Sequence, residues 1–78
     1  MIVRRCSSKG AFEVIPEKSN CIDFVRIKKN FKVSFEIRAL VIIEHDKYNI
    51  TCYKNGKIMI RNCNSIEEAE KVAEELYR

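Results

Sequence analysis

The chain has 78 residues, a formal net charge of +4 and 46 % hydrophobic residues. This length predicts one small domain over residues 1–78, and the composition excludes a disordered chain. No apolar run approaches the ~20 residues of a membrane span. Arg4 and Arg5 lead into no signal-peptide core, so we expect a cytoplasmic protein. The mild positive charge favours acidic partners only weakly.

The first sixteen residues predict at least one strand. Residues 1–10 fit either a short strand or an extended arm, and the sequence leaves this choice open. Residues 11–15 predict a strand with Phe12 and Val14 on one face, and Pro16 stops it because proline cannot donate to the ladder.

A helix is predicted next, capped by Ser19 or Asn20 and continuing to about residue 30, with Asp23 in its favourable first turn. Its predicted buried stripe consists of Cys21, Phe24, Val25, Ile27 and Phe31. Lys28 and Lys29 suit the negative end of the helix dipole, and the alternative interpretation is that they contact phosphates.

Residues 35–45 predict one long strand, because apolar side chains recur at every second position. The predicted core face consists of Phe35, Ile37, Ala39, Val41 and Ile43. The opposite face is predicted to carry Glu36, Arg38, Leu40, Ile42 and Glu44. Asp46 and Lys47 then turn the chain into the next strand.

The segment from Tyr48 to Asn62 predicts a hairpin with its turn at Asn55-Gly56. A two-residue turn would pair Lys54 with Lys57 and mix polar with apolar side chains on each face. A three-residue loop pairs Tyr53 with Lys57 and puts the polar and the apolar side chains on different faces, so we expect that closure. The core face is then Ile50, Cys52, Ile58 and Ile60, and the other face is Asn49, Thr51, Tyr53, Lys57, Met59 and Arg61.

A capping box, Ser65 with Glu68, predicts the start of a C-terminal helix. Its predicted apolar stripe consists of Ile66, Ala69, Val72, Ala73, Leu76 and Tyr77. The order β-α-β-β-β-α predicts an α+β fold, a single antiparallel sheet of about four or five strands with both helices on one face. No further element is left to cover the other face of that sheet.

An uncovered apolar sheet face predicts a binding surface. The residues expected to bind a protein partner, or a second copy in a homodimer, are Arg38, Leu40, Ile42, Tyr53, Met59 and Arg61. The alternative is that Leu40 and Ile42 lie under the N-terminal arm. Glu36 and Glu44 are predicted on the same face, where they would repel phosphates.

Catalytic groupings are sparse, so we expect a non-enzymatic protein with no cofactor and no bound metal. The sequence has no glycine-rich phosphate loop, and its one histidine, His45, lies at a strand end. Its four cysteines are expected to be reduced. Two alternatives stay open: a zinc site of Cys6, Cys63 and His45, and a sulfur-accepting thiol at Cys6 beside basic residues.

The run YNITCYKNGKIMIRNCNSIEEAEKVAEELY, with FEVIP upstream, resembles the closing segment of the ThiF/MoeB/HesA-type sulfur-carrier adenylyltransferases. In that family a long strand leads to a glycine-containing hairpin, a short strand and an acidic-capped helix. The family's ATP-binding glycine loop and Cys-x-x-Cys pairs are missing here. The resemblance therefore implies an accessory module, linked to sulfur-carrier activation.

The same order of elements, with GKIMI and S-x-E-E, is similar to one half of the TATA-binding-protein fold. That resemblance implies nucleic-acid binding on the helix-free face, at Thr51, Tyr53, Met59 and Arg61, and a half of this kind would have to dimerise. It supplies the alternative function, a nucleic-acid-binding domain. The basic residues expected to assist are Lys28, Lys29 and Lys57, together with Arg38 and Arg61.

Overall fold

The computed structural model describes residues 2–5, 10–16 and 23–77. Six strands are found there: β1 (Ile2–Arg5), β2 (Ala11–Ile15), β3 (Lys32–Glu36), β4 (Leu40–His45), β5 (Tyr48–Tyr53) and β6 (Ile58–Arg61). The two helices are α1 (Phe24–Asn30) and α2 (Ile66–Tyr77). Neither described helix is long and apolar enough to cross a membrane.

All six strands join one sheet in the order β1-β2-β6-β5-β4-β3, and every neighbouring pair is antiparallel. The predicted α+β class with a single antiparallel sheet is confirmed. The sheet has six strands where the sequence predicted four or five. The strand that the sequence left open within residues 1–10 is present as β1, whose Val3 lies opposite Val14, and the sixth strand comes from splitting the predicted long strand.

The prediction of one strand over residues 35–45 is wrong, because β3 and β4 form a hairpin instead. The amide of Ile37 donates to the carbonyl of Leu40 at 2.9 Å, which closes the turn around Arg38 and Ala39. The two-residue turn puts Ile37 and Leu40 on the same face, but Ala39 in the turn is apolar, so the odd positions of the sequence stay apolar straight through it. Neither glycine nor proline marks the turn in the sequence.

A β-bulge in β3 changes which side chains reach the core. Val33 lies opposite Ile43, but Phe35 lies opposite Ile42, so Ser34 is an extra residue in the strand. The Ser34 hydroxyl donates to the Ile42 carbonyl at 3.2 Å. The shift places Phe35 on the side of the sheet away from the helices.

The same register corrects two further predictions. Glu36 lies opposite the buried Val41, on the helix-covered face, and its carboxylate accepts a hydrogen bond from Lys28 at 2.8 Å. Ile37, predicted in the core, has 47 % of its surface exposed. The repulsion that we expected between Glu36 and phosphates on the open side therefore does not arise.

The predicted three-residue closure of the β5–β6 hairpin is confirmed. The Tyr53 amide donates to the Lys57 carbonyl at 2.9 Å, and the Gly56 amide donates to the Tyr53 carbonyl at 3.0 Å. Gly56 has φ +97°, which a side chain would disfavour. The predicted core residues Ile50, Cys52, Ile58 and Ile60 are fully buried.

Helix α1 begins at Phe24, later than predicted, because Asp23 is its N-cap. The Asp23 carboxylate accepts hydrogen bonds from the amides of Val25 at 3.0 Å and Arg26 at 3.3 Å. The predicted caps, Ser19 and Asn20, and the predicted stripe residue Cys21 lie outside the described residues. Ile27 is fully buried, whereas Val25, predicted on the same stripe, is exposed.

Helix α2 begins as predicted, with the Glu68 amide donating to the Ser65 hydroxyl at 3.2 Å. Ala69, Val72, Ala73 and Leu76 are buried as predicted, while Ile66 in the first turn is exposed.

Both helices pack on the same face of the sheet. Ile27 of α1 and Leu76 of α2 belong to one buried cluster with Ile43 and Ile60 of the strands. The Arg26 guanidinium also donates to the Leu76 carbonyl, which joins the two helices. All the buried strand residues of this cluster point toward the helices.

Candidate interaction surface

The helix-free side of the sheet, called the open face below, is built from the alternate residue of every strand. One row of cross-strand neighbours runs across the whole sheet: Arg4, Glu13, Met59, Thr51, Ile42 and Phe35. A second row lies nearer the β3–β4 turn: Ile2, Ile15, Lys57, Tyr53, Leu40 and Ile37. Thr51, at the centre, is the one polar side chain of the described residues that is buried.

Six neighbouring side chains form what we call the apolar patch: Phe35, Ile37, Leu40, Ile42, Tyr53 and Met59. Phe35 is 52 % exposed and Ile37 is 47 % exposed, and the other four are partly buried. No described element packs over these residues. Large apolar side chains are more often buried than exposed. A contiguous group of them on the surface commonly marks an interaction site.

Charged groups surround the apolar patch rather than interrupt it. The Glu13 carboxylate binds Lys57 at 2.7 Å and Arg4 at 3.4 Å. The hydrogen bond from Lys57 is the main reason that the pKa of Glu13 is lowered, and the same bond raises the pKa of Lys57. On the β3 side Lys32 lies 4.0 Å from Glu44. Each open-face carboxylate therefore already has a cation.

Two arginines lie at diagonally opposite corners of the apolar patch. Arg38 is in the β3–β4 turn beside Ile37, and Arg61 ends β6 at the other end of the strands, opposite Asn49. Both are exposed. Within the described part of the chain, neither has a carboxylate within 4.0 Å.

Five of the six residues predicted to bind a partner lie together on the open face: Leu40, Ile42, Tyr53, Met59 and Arg61. The sixth, Arg38, lies in the adjoining turn. Sequence reasoning missed Phe35 and Ile37, which it had assigned to the core. The bulge at Ser34 puts Phe35 and Ile37 on the open face, and no local signal in the sequence marks that bulge.

The basic residues proposed for nucleic acid do not form one surface. Lys57 lies on the open face beside Tyr53, with its ammonium 5.8 Å from the ring centre. Lys28 and Lys29 belong to α1 on the opposite side of the sheet, and Lys28 is engaged by Glu36.

The described cysteines are poorly placed for chemistry. Burial raises the pKa of the Cys52 thiol to about 12. The pKa of Cys63 is also raised, chiefly by burial, and its thiol donates to the Ser65 carbonyl at 3.2 Å. Both proposals that involve Cys6 fall outside the described residues.

His45 is committed to local contacts. Its Nε2 lies 2.7 Å from a Glu75 carboxylate oxygen, and its ring meets Phe31 edge-on at 5.0 Å. Over residues 2–5, 10–16 and 23–77, no cluster of three or more His, Cys, Asp or Glu side chains is arranged to hold a metal ion.

No protein-family model matches this chain, and no curated protein or solved structure matches it significantly. The resemblances to the sulfur-carrier adenylyltransferases and to half of the TATA-binding-protein fold remain predictions. Function is therefore inferred from the surface residues themselves, because one fold serves many functions.

Proposed function

We propose that this chain is a non-enzymatic binding module that holds a protein partner on its open face. The observation that carries this proposal is the apolar patch, where Phe35 and Ile37 are each about half exposed beside Leu40 and Ile42. Contiguous apolar surface of this kind costs free energy in water, and in proteins it usually marks an interaction site.

The arrangement of residue types also supports a protein interface. The apolar patch is aliphatic and aromatic around the buried Thr51, while Arg38, Arg61 and Glu44 lie at its margin. Protein interfaces have this anatomy: charged residues are depleted at the core, and Tyr, Phe, Met and Arg are enriched.

The two sheet edges favour docking on the face over strand addition. The edge strand β3 carries the bulge at Ser34, and the edge strand β1 exposes Arg4 and Arg5. Bulges and charged side chains on edges hinder pairing with another chain's strand. The face itself carries no comparable obstruction.

Titratable groups in the described part of the chain fit binding better than catalysis. Cys52 and Cys63 are held as thiols by their raised pKa values, and His45 is occupied by Glu75. Free cysteines also fit a reducing compartment, so the cytoplasm is the proposed location. The resemblance described above suggests sulfur-carrier activation as the setting.

Binding of single-stranded nucleic acid is the second candidate. Phe35 lies with Tyr53 on the open face, and Glu36 lies on the other side of the sheet. Two aromatic rings and Arg61 are therefore available for bases and phosphates. Aliphatic side chains nevertheless outnumber aromatic ones in the patch, and Lys28 and Lys29 lie on the other side. These features favour a protein partner.

Affinity capture of the tagged chain from a lysate of its source cells tests the proposal. Wild type is compared with Ile42→Glu on the open face and with Val25→Glu, a matched exposed aliphatic site on α1. The proposal predicts proteins that survive nuclease treatment, stay with Val25→Glu and are lost with Ile42→Glu. Capture of nucleic acid that disappears with nuclease would establish the second candidate instead.

A further inference from the structure

We infer that the segment bound on the apolar patch is acidic: apolar side chains flanked by carboxylates, supplied by a different protein. This inference rests on the proposed function and adds the chemistry of the partner. It follows from the distribution of charge around the open face and on α2.

Cations outnumber carboxylates on the open face. Its strands carry three cations, Arg4, Lys32 and Arg61, and two carboxylates, Glu13 and Glu44, and Lys57 just before β6 is a fourth cation. The turns at the β3–β4 end add two more cations, Arg38 and Lys54. Since both carboxylates are already within 4.0 Å of a cation, the surplus positive charge is available to a partner.

The two arginines are placed to receive carboxylates at both ends of a bound segment. Arg38 and Arg61 lie at diagonally opposite corners of the apolar patch, and both side chains are exposed. Arginine binds carboxylates through two parallel hydrogen bonds, which gives it geometric selectivity. The patch spans β3 to β6, about 15 Å at the usual strand spacing, and an amphipathic helix of about ten residues has that length.

On the opposite side of the sheet, helix α2 carries the reverse charge, whereas α1 beside it carries Lys28 and Lys29. Helix α2 exposes four glutamates, Glu67, Glu70, Glu74 and Glu75, against a single exposed Lys71. A carboxylate-rich segment is therefore attracted to the open face and repelled by α2.

This charge separation disfavours a second copy stacked face to face. A two-fold stack of open faces would bring two surfaces of net positive charge together, and like charges across an interface repel. A partner with the complementary charge avoids that cost. Stacking of the open face on the α2 of another copy remains an outcome that the experiment detects.

The test uses helical model peptides with one leucine stripe, flanked either by glutamates or by lysines. Their binding to the wild-type chain is measured by fluorescence anisotropy. The acidic peptide is expected to bind and the basic peptide is not. Charge reversal by Arg38→Glu or Arg61→Glu should lower the affinity for the acidic peptide about tenfold. Lys29→Glu, the same change on α1, should leave its affinity unchanged.

The outcomes separate the inference from the proposed function. If both peptides bind equally and Ile42→Glu abolishes their binding, the inference of an acidic partner is wrong, but the open face remains a protein-binding surface. Binding of neither peptide would also overturn the inference. Binding of a single-stranded oligonucleotide in place of the acidic peptide would overturn both. Concentration-dependent self-association in sedimentation, abolished by Arg61→Glu, would replace the foreign partner with a second copy.

Discussion

Phe35 lies directly opposite Ile42 on adjacent strands, and both side chains point away from the helices. This pairing exists because Ser34 is an extra residue in β3, where it shifts the register between Val33 and Phe35. This register shift places Phe35 and Ile37, which the alternation of the sequence assigns to the core, on an exposed surface. The open face is therefore more apolar and less acidic than the sequence predicted.

The first prediction tests this register through stability. Phe35→Ser should lower the free energy of unfolding by less than about 1 kcal/mol, because the side chain is already half exposed. Ile43→Ala, which empties a fully buried site, should cost about 2–5 kcal/mol. Urea denaturation measures both. A larger loss for Phe35→Ser than for Ile43→Ala would return Phe35 to the core and refute the bulge.

A second prediction concerns the centre of the binding surface. Tyr53→Glu should abolish association with the partner, because it places a carboxylate among Leu40, Lys57 and Met59 in the middle of the apolar patch. The circular dichroism spectrum should stay that of the wild type, since Tyr53 is only partly buried. Unchanged association of a folded variant would remove this face from the interface.

How far the sequence predicts the fold depends on whether the signals are local. The β5–β6 turn and the start of α2 were predicted correctly, because Gly56 and Ser65 act through their own backbone and nearby amides. The β3–β4 hairpin was missed, because its turn at Arg38-Ala39 has no special residue and alternation continues through it.

Most of the candidate site follows from alternation along β5 and β6, which placed Tyr53, Met59 and Arg61 correctly on one face. Phe35 and Ile37 could not be predicted in this way. A bulge inverts the faces of everything after it until the next turn, and here nothing in the sequence near Ser34 marks it.

The third prediction concerns thiol reactivity. In a Cys6→Ser/Cys21→Ser variant, which leaves Cys52 and Cys63 as the only thiols, the native protein should react very slowly with Ellman's reagent at pH 8. A thiol with a pKa of about 12, as for Cys52, has roughly a thousandfold less thiolate than one near 9.0. Both thiols should react quickly once guanidinium unfolds the chain. Rapid labelling of Cys63 in the folded protein would contradict its burial.

A fourth prediction concerns how the free energy of unfolding changes at acidic pH. The pKa of Glu13 is lowered by its bonds to Lys57 and Arg4, so the carboxylate stabilises the fold above its ordinary value of 4.5. That contribution is lost as the pH falls through the lower pKa of the folded state. Glu13→Gln should therefore be less stable than wild type at pH 7, with a smaller difference at about pH 3. A difference that is independent of pH would show that the ion pairs do not stabilise the fold.

The fifth prediction concerns the contact between α2 and the β5–β6 turn. The Tyr77 hydroxyl donates to the Gly56 carbonyl at 2.6 Å, and burial raises the pKa of Tyr77 to about 12. Tyr77→Phe leaves that carbonyl without its partner and should cost about 1–2 kcal/mol in urea denaturation. Tyr53→Phe is the control, since the Tyr53 hydroxyl has no hydrogen-bond partner among the described residues, and its cost should be near zero.

Methyl NMR of the chain, titrated with the partner obtained by affinity capture, tests the open face most directly. Chemical-shift changes are expected at the methyl groups of Ile37, Leu40, Ile42 and Met59, with Ile66 and Val25 on the helix side unaffected. Changes confined to Ile66 and Val25, with the open-face methyl groups unmoved, would contradict the claim that the helix-free side of the sheet is the binding surface.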